Sequence, residues 1–304
     1  LKSISRTPSL VGLTARSAGD VGGDDFDFLS DARRIRRLQI SGNNNADNRW
    51  VQAITGCDRL VSLMLQGSGI DDEGLLRLPM LPDLEDLNLQ STSSRGRVLQ
   101  RVSPDSLTHV NINNISDDAM RRLCEYHQLT HVSLRSPRFS PPHLADLARC
   151  RWIVNLYLQD ASDFDDETMA AVGKFSRLRY LTIRESHFGI ETCNAIARLN
   201  SLRDLHVAGP DFDDSCMQAL CGTVSLNQLT IEDSDNRLTD AALQSLWRLV
   251  NLRSLTIQSD SITPQGLAIL TELPNLQRLQ LRGRAFREGD LQMLQKTIPE
   301  VTVR

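Results

Sequence analysis

The sequence predicts an α/β solenoid, a stack of short repeats that each contain one strand and one helix. Three observations in the 304-residue chain support this prediction. A phrase of the form LxxLxL recurs every 22–26 residues, apolar and polar residues alternate within it, and apolar residues three and four positions apart follow it. Alternation is typical of a strand buried on one face, and the wider spacing is typical of a helix face.

The strands come from the LxxLxL phrase. The end of the phrase alternates apolar and polar residues, as in LRYLTI from Leu178 and LRSLTI from Leu252. Side chains of a strand point alternately to its two faces, so each copy predicts one short, half-buried strand. The copies start at Leu10, Ile35, Leu60, Leu84, Leu107, Leu129, Ile153, Leu178, Leu202, Leu226, Leu252, Leu276 and Ile298.

The second half of each repeat predicts a helix, as in LTDAALQSLWRLVN at 238–251 and ITPQGLAILTELPN at 262–275. One such unit cannot bury its own apolar stripe, so successive repeats must stack and share a core. Parallel crossovers are right-handed, which predicts a right-handed solenoid. Strands stack about 4.8 Å apart and helices about 10 Å apart, so we expect a horseshoe with the parallel sheet on the concave face and the helices on the convex face.

The phrase DFDD occurs at 163–166 and at 211–214, where other repeats also place an apolar residue before Asp, Ser or Thr. That order is typical of a helix start, in which the polar side chain accepts from first-turn amides. A calcium loop needs a central Gly and a distal Glu, which both copies lack. Asp166 and Asp214 are expected to complement the positive helix end. The predicted caps are Asp71, Ser116, Ser140, Asp165, Asp213, Thr239 and Thr263.

Composition excludes several classes of protein. The net charge of −4 and the pI near 5.9 give no general attraction to nucleic acid or to an anionic membrane. No window approaches the roughly 18 continuous apolar residues of a membrane span, so a soluble, cytoplasmic protein is expected. The six cysteines show no CxxC spacing, which favours buried free thiols over metal ligands or disulfides.

The thirteen phrases, together with second halves of the form I-T/D-D-x-x-L-x-x-L, resemble leucine-rich repeat proteins. The second half resembles the subclass found in bacterial repeat proteins and in eukaryotic F-box partners. The resemblance covers nearly the whole chain and implies one domain at 1–304 with 12–13 repeats. The family's turn Asn or Cys is replaced here, for example by Ser68, Thr92 and Ala161, so we expect these turns to depend on water or main-chain hydrogen bonds.

The start of the chain matches the tail of a repeat. Leu1 and Ile4 stand at helix positions, and Pro8 precedes the first strand phrase. A solenoid end needs a polar cap, so the chain is expected to begin mid-repeat, with a cap or a further domain upstream.

The candidate site lies at the third, fifth and seventh positions of the central phrases, which point away from the core. Tyr, Arg and His there are typical of binding hot spots, because they bury large area and carry hydrogen-bonding tips. A solvated face is the alternative, since strands favour Tyr and Thr in any case. The predicted ligand-binding residues are His109, His131, Arg135, Tyr157, Tyr180, Arg184, Asp204 and His206.

The predicted function is a non-enzymatic scaffold that holds a protein or peptide on the concave sheet, without a cofactor. Two alternatives stay open: the recognition arm of a ubiquitin-ligase-type complex or a secreted effector, which the resemblance permits, and a carbohydrate-binding or hydrolytic site in the His and Tyr band. The sequence specifies neither the partner, the source organism nor the oligomeric state.

No catalytic or metal site is predicted within this band. Asp204 and His206 share a strand face with hydroxyls near them at Thr182 and Ser133, but an open face offers no oxyanion hole. His109 and His131 are expected on adjacent strands, close enough to share a metal ion, but no third ligand has a suitable spacing.

Overall fold

The computed structural model describes residues 10–16, 26–29, 32–41, 46–284, 286 and 288–303. The chain divides into two compact units, Leu1–Trp152 and Ile153–Arg304. The single domain expected at 1–304 stays a prediction. The expected mid-repeat start, with Leu1, Ile4 and Pro8, lies outside the described residues.

The described residues of the first unit form six parallel strands. Each strand pairs with the next in chain order, and equivalent phrase positions lie opposite each other, as His109 does to His131. The strands are β1 Gly12–Arg16, β2 Arg37–Ser41, β3 Ser62–Leu65, β4 Asp86–Leu89, β5 His109–Asn113 and β6 His131–Arg135.

In the part of the second unit that the structure describes, seven parallel strands pair by the same rule. They are β7 Asn155–Gln159, β8 Tyr180–Arg184, β9 Asp204–Ala208, β10 Gln228–Glu232, β11 Ser254–Gln258, β12 Arg278–Arg282 and β13 Glu300–Val303. In both units every strand begins at the third residue of its LxxLxL phrase, so the predicted α/β repeat architecture is confirmed.

The helices are short, none of the described ones being longer than seven residues. Helices of this length are not stable alone, so packing between neighbouring repeats must hold them. The first unit contains α1 Asn48–Ala53, α2 Asp72–Leu75, a 3-10 helix at Arg97–Arg101, α3 Asp117–Leu123 and α4 Pro142–Leu147. The second contains α5 Asp166–Met169, α6 Ile190–Ile196, α7 Asp214–Leu220, α8 Asp240–Leu243 and α9 Gln292–Gln295, with 3-10 helices at Ala170–Lys174, Leu246–Arg248, Gly266–Glu272 and Glu288–Leu291.

The core of each repeat is made by the apolar positions of the phrase. In β9 and its lead-in, Leu202, Leu205 and Val207 are all completely buried, and the same positions are buried in the phrases of β2 to β12. All six cysteines are free thiols, five of them buried and Cys124 half-buried, as expected from their spacing. Within the described part of the chain, no helix has the length and apolar content needed to cross a membrane.

Four of the predicted helix caps are confirmed. Asp71, Asp165, Asp213 and Thr239 each precede a helix with extended backbone, and the side chain of each accepts from a first-turn amide. These bonds satisfy main-chain donors that have no partner within the helix.

The other three predicted caps, Ser116, Ser140 and Thr263, are wrong. Their hydroxyl groups donate to the preceding repeat and accept no bond from their own helix. Ser116 donates to the carbonyl of Arg95 (3.1 Å), Ser140 to Asp117 Oδ2 (2.8 Å) and Thr263 to Asp240 Oδ2 (2.6 Å).

Two of these acceptors, Asp117 and Asp240, belong to a set that we call the carboxylate ladder. Each member is the first residue of its helix and accepts from main-chain amides at the helix start of the following repeat. Asp166 and Asp214 are expected from the sequence to complement the positive end of their own helix. In the structure, each also accepts hydrogen bonds from the helix start of the next repeat. The ladder consists of Asp72, Asp117, Asp166, Asp214 and Asp240.

Several of the turns after the strands are joined by main-chain hydrogen bonds, as expected where the turn Asn is missing. The residue after several strands has a positive φ, and its amide donates to the carbonyl at the end of the next strand. Asn114 N donates to Arg135 O, Asp160 N to Arg184 O and Glu185 N to Ala208 O, at 2.8–2.9 Å.

Candidate functional site

The eight candidate residues lie on the sheet face, the outward-pointing side of each set of strands. In β8 the alternation is clear: Leu181 and Ile183 are buried, Tyr180 is 47% exposed, and Thr182 and Arg184 are half-buried. The fold therefore does not use the outward side chains to build its core. That they bind a ligand stays a prediction.

In the first unit, His109 and His131 are neighbours, as predicted. They lie opposite each other on β5 and β6, and their rings stack with centroids 4.1 Å apart and an interplanar angle of 16°. Arg135 ends the same strand as His131, opposite Asn113. The two imidazoles thus lie face to face, with His109 exposed and His131 half-buried.

The hydrogen bonds of this pair define its tautomers. Thr108 Oγ1 donates its one proton to Glu85 O (2.9 Å), so Nδ1 of His109, 2.8 Å from the same oxygen, must be the donor. Thr130 Oγ1 donates to Thr108 O (3.1 Å) and accepts from Nδ1 of His131 (2.9 Å). Burial, together with the charge of His109, lowers the pKa of His131. In a neutral imidazole, these bonds place the ring proton on Nδ1.

In the second unit, Glu232 joins Arg184 and His206. Arg184 Nη2 lies 2.9 Å from Glu232 Oε2, and His206 Nε2 lies 2.9 Å from Glu232 Oε1. Arg184 and Glu232 lie two strands apart, with Ala208 between them in register, and the small alanine lets the guanidinium reach across. The sequence reading missed Glu232; an alanine between Arg and Glu in one column is the signal that would have found it.

The charges of this cluster are set by partial burial. Burial lowers the pKa of His206, against the attraction of Glu232, which raises it. Burial also raises the pKa of Asp204, an effect that His206 opposes. Because a carboxylate only accepts, Nε2 of His206 carries the proton that bonds Glu232. The face therefore holds a fixed ion pair beside a largely neutral imidazole.

The two tyrosines differ in how they are held. The hydroxyl of Tyr157 donates to Gln159 Oε1 (2.6 Å), and Gln159 Nε2 donates to Glu185 Oε2 (3.1 Å), so this ring is oriented by a polar chain. Tyr180 lies opposite Asp204 in register and leaves about half of its surface in solvent. A large aromatic side chain exposed on a strand is available to a partner.

The geometry gives little support to a catalytic triad or a metal cluster. His206 directs Nε2 at Glu232 and not at the hydroxyl of its strand neighbour Thr182. Among the residues that the structure describes, no three His, Cys, Asp or Glu side chains are placed to hold one metal ion.

Replacing Glu232 with glutamine is expected to lower the pKa of His206 further below its ordinary value of 6.5, because Glu232 favours the protonated ring. A histidine with a lowered folded-state pKa is protonated more readily in the unfolded chain, so stability falls as the pH drops below about 6.5. We expect that loss to be steeper in E232Q. An NMR pH titration of the imidazole measures the change. Asp235→Asn, which removes an exposed carboxylate, should leave the titration unchanged, and an unshifted His206 in E232Q would contradict the assignment.

Comparison with known proteins identifies the class of fold. No protein-family model and no curated protein matches the sequence. Among solved structures, an internalin (inlF) from Listeria monocytogenes superposes with a TM-score of 0.61 at 15% identity, covering 96% of this chain and 86% of that one. A chain of the yeast Rad7–Elc1 complex gives 0.65 at 16% identity, covering 98% and 81%. A chain of the Arabidopsis receptor kinase HAESA complex with the peptide hormone IDA and the co-receptor SERK1 gives 0.54 at 14%, covering 90% and 47%.

These likenesses and the strand–helix repeat define the class: the chain is an α/β solenoid. Its fold is that of the leucine-rich repeat proteins, as the recurring phrase predicts.

Proposed function

We propose that this protein is a non-enzymatic scaffold that binds a protein or peptide on the sheet face of its second unit. The observation that carries the proposal is Tyr180, a large aromatic side chain that is 47% exposed on a strand. Tyrosine and arginine dominate binding hot spots, because a ring or guanidinium buries a large area and keeps a hydrogen-bonding tip. Arg184, held by Glu232, supplies the second anchor.

The remaining candidate residues give the surface its polar rim. Asp204 offers a carboxyl group opposite Tyr180, and His206 offers an imidazole opposite Thr182. Tyr157 presents a ring whose hydroxyl is already oriented by Gln159. Side chains fixed before binding lose little entropy when a partner arrives. On the first unit, His109, His131 and Arg135 form a second, separate surface that we also propose as a contact region.

Similar folds support a partner of this kind. The yeast structure is a complex with Elc1, and the Arabidopsis structure is a complex with a peptide hormone. An extended peptide or a protein loop fits an open strand face, where successive outward side chains alternate with buried ones.

The hydrolytic alternative is less well supported, because Glu232 occupies the nitrogen that His206 would need as a base. No contact in the described residues favours the ubiquitin-ligase-type or effector alternative. The bacterial type of repeat and the cytoplasmic location stay predictions.

The test uses a library of random twelve-residue peptides displayed on phage and selected on the wild-type protein. Tyr157→Ala combined with Tyr180→Ala should weaken the selected peptides by about 30-fold or more, the loss typical of hot-spot residues. Fluorescence anisotropy with labelled peptide measures the dissociation constant.

The matched control is Thr230→Ala combined with Thr256→Ala, on the same face of β10 and β11, which should change the affinity less than about threefold. The proposal fails if the tyrosine variant binds the selected peptides as tightly as the wild type, with the far-ultraviolet spectrum unchanged.

A further inference from the structure

We propose that Cys124 and Cys150 form a reversible oxidation site, in which an oxidant of the peroxide class joins the two thiols in a disulfide between consecutive repeats of the first unit. The site does not depend on the binding surfaces proposed above. It rests on two observations: both thiols lie at the end of α3, and one of them is accessible to solvent while the other is buried.

The two thiols meet at the end of α3. Cys124 follows the last residue of this helix, and its Sγ lies 3.4 Å from the carbonyl oxygen of Met120. Cys150 belongs to the next repeat, and its Sγ lies 3.8 Å from the carbonyl oxygen of Leu123. That carbonyl is part of the peptide bond to Cys124, so the sulfur of Cys150 contacts the peptide group that leads into its partner. The two thiols are also hydrogen-bonded to each other.

Solvent access distinguishes this pair from the other thiols that lie close together. Cys124 is half-buried, and Cys150 is 8% exposed. A second hydrogen-bonded pair, Cys193 and Cys216 in the second unit, is at most 2% exposed at either residue. Exposure and thiolate character decide together which cysteine is oxidised. An oxidant in solution therefore reaches Cys124 before it reaches the pair in the second unit.

The remaining two cysteines are protected by burial. Cys57 and Cys221 are both completely buried. Burial raises the pKa of Cys57 to about 11 and that of Cys221 to about 12, so both thiols keep their protons at neutral pH. A neutral, inaccessible thiol is a poor nucleophile. These two residues therefore serve as internal references for the reactivity of Cys124.

The contact between the two thiols gives them different roles. The hydrogen bond from Cys150 lowers the pKa of Cys124, against burial, which raises it. The same bond, together with burial, raises the pKa of Cys150, so Cys150 keeps its proton and donates it. The thiolate is the form of cysteine that attacks an oxidant. Cys124 is therefore the residue that is oxidised first, and Cys150 is the resolving residue.

The reaction with hydrogen peroxide has two steps. The thiolate of Cys124 attacks one peroxide oxygen and the O–O bond breaks, which gives a sulfenic acid and a hydroxide ion that takes up the proton lost by Cys124. The sulfur of Cys150 then attacks the sulfenic sulfur, the S–S bond forms, and the hydroxyl group leaves as water with the proton of Cys150. Overall, the two thiols lose two hydrogen atoms and one peroxide becomes two molecules of water. A thiol reductant reverses the disulfide by exchange.

The disulfide connects the two repeats whose strands carry His109, His131 and Arg135. Cys124 follows the helix of the β5 repeat, and Cys150 follows the helix of the β6 repeat. These two helices, α3 and α4, pack against each other. A covalent link between them restricts the unfolded chain, so oxidation should stabilise this part of the stack.

Hydrogen peroxide is the probe for the test. The native wild-type protein is treated with peroxide, the remaining thiols are blocked with iodoacetamide in denaturant, and the peptides are mapped by mass spectrometry without reduction. We expect a linked peptide that contains Cys124 and Cys150 and that dithiothreitol separates. The proposal is overturned if these two residues stay unlinked, or if Cys193 and Cys216 become linked as rapidly.

Pulsed alkylation of the untreated native protein checks the reactivity of the individual thiols. Iodoacetamide should modify Cys124 at least about tenfold faster than Cys57 or Cys221, because thiolate character and exposure both favour Cys124. Equal rates at the three residues would overturn the assignment of Cys124 as the first residue to be oxidised.

Replacing Cys150 with serine separates the two steps. In Cys150→Ser, peroxide should leave a sulfenic acid on Cys124 that dimedone traps, whereas the wild type should retain at least about tenfold less dimedone, because the disulfide forms first. The control Cys221→Ser removes a buried thiol of the second unit and should behave as the wild type. Equal dimedone labelling of Cys124 in the wild type and in Cys150→Ser would overturn the resolving role. The mapping of the wild type needs no variant and stays decisive if a variant fails to fold.

Discussion

Replacing Asp233 with alanine is expected to lower the free energy of unfolding by about 3–5 kcal/mol, the cost of leaving several buried donors without their charged acceptor. Asp233 follows β10 and is only 5% exposed. A carboxylate at this depth is tolerated because hydrogen bonds compensate for the water it has lost. Its removal should therefore be among the most destabilising single substitutions on this side of the second unit.

Four donors from two successive repeats converge on this carboxylate. Oδ1 accepts from Arg237 N (2.8 Å), and Oδ2 accepts from Leu238 N (3.2 Å), Ser259 Oγ (2.7 Å) and Ser261 Oγ (3.2 Å). Asp233 thus joins the turn after β10 to the turn after β11. In the alanine variant, the buried amide of Leu238 and the buried hydroxyl of Ser259 lose this partner, and no solvent reaches them.

Urea denaturation followed by far-ultraviolet circular dichroism measures the effect. Asp235→Ala is the matched control, because it removes the same charge from the same loop at an exposed position and should stay within about 0.5 kcal/mol of the wild type. Asp233→Asn should fall between the two, since one of its terminal atoms becomes a donor. Equal effects at 233 and 235, or a loss below about 1 kcal/mol at 233, would contradict the role of this carboxylate.

The architecture was predictable because the same positions are buried in the repeats of β2 to β12. Leu202, Leu205 and Val207 occupy in one repeat the places that Leu252, Leu255 and Ile257 occupy two repeats later, and all are buried. A buried pattern with a constant interval defines strand position, register and direction together. The adjacency of His109 and His131 follows from the same register and needs no further information.

Contacts between repeats were less predictable, because capping rules consider one helix at a time. Ser140 and Thr263 carry the residue type that the capping rule expects, yet they lie before the observed cap positions and their hydroxyls bond Asp117 and Asp240 of the preceding repeat. The competing acceptor lies about two dozen residues upstream, and only the stack brings it near. The hydrogen bonds at these helix starts are therefore made partly by the preceding repeat, which a rule for a single helix does not consider.

Contacts made by long side chains were also difficult to predict from the sequence. Glu232 pairs with Arg184 across 48 residues, and this contact depends on the small side chain of Ala208 between them. Register places the three residues in one column, but the reach of an arginine over its neighbour is a property of side-chain conformation. The sequence therefore predicts the face on which Arg184 and His206 lie, but it does not predict that Glu232 pairs with both.

Replacing Asp166 with alanine is the second large effect: we expect it to lower the free energy of unfolding by about 2–3 kcal/mol. Hydrogen bonds to a charged group are stronger than neutral ones, but this site is only partly buried. Asp166 begins α5 and accepts from Gly189 N (2.7 Å), Glu191 N (2.9 Å) and Thr192 N (2.9 Å) at the start of α6. It therefore caps the helix of the following repeat, whose own preceding residue, Gly189, has no side chain to do so.

Glu167→Ala is the control for this variant. Glu167 is an exposed carboxylate in the same first turn, so it shares the favourable interaction with the helix dipole but none of the bonds to α6. Its removal should lower the unfolding free energy by less than about 0.5 kcal/mol. Comparable losses at 166 and 167 would show that charge near the helix end, and not the bond between repeats, is responsible.

The pH dependence separates these two causes further. Burial alone would raise the pKa of Asp166, but hydrogen bonds from Thr192, Gly189 and Glu191 outweigh it and lower the pKa below the ordinary 3.8. The unfolded chain then binds the proton first on acidification, so the stabilisation is complete above pH 3.8 and is lost as the pH falls through the folded-state pKa. The difference in unfolding free energy between wild type and D166A should therefore be constant from neutral pH down to about pH 5 and should shrink below pH 3.8. A difference that stays constant through that acidic range would mean that the carboxylate is not bonded to the neighbouring repeat.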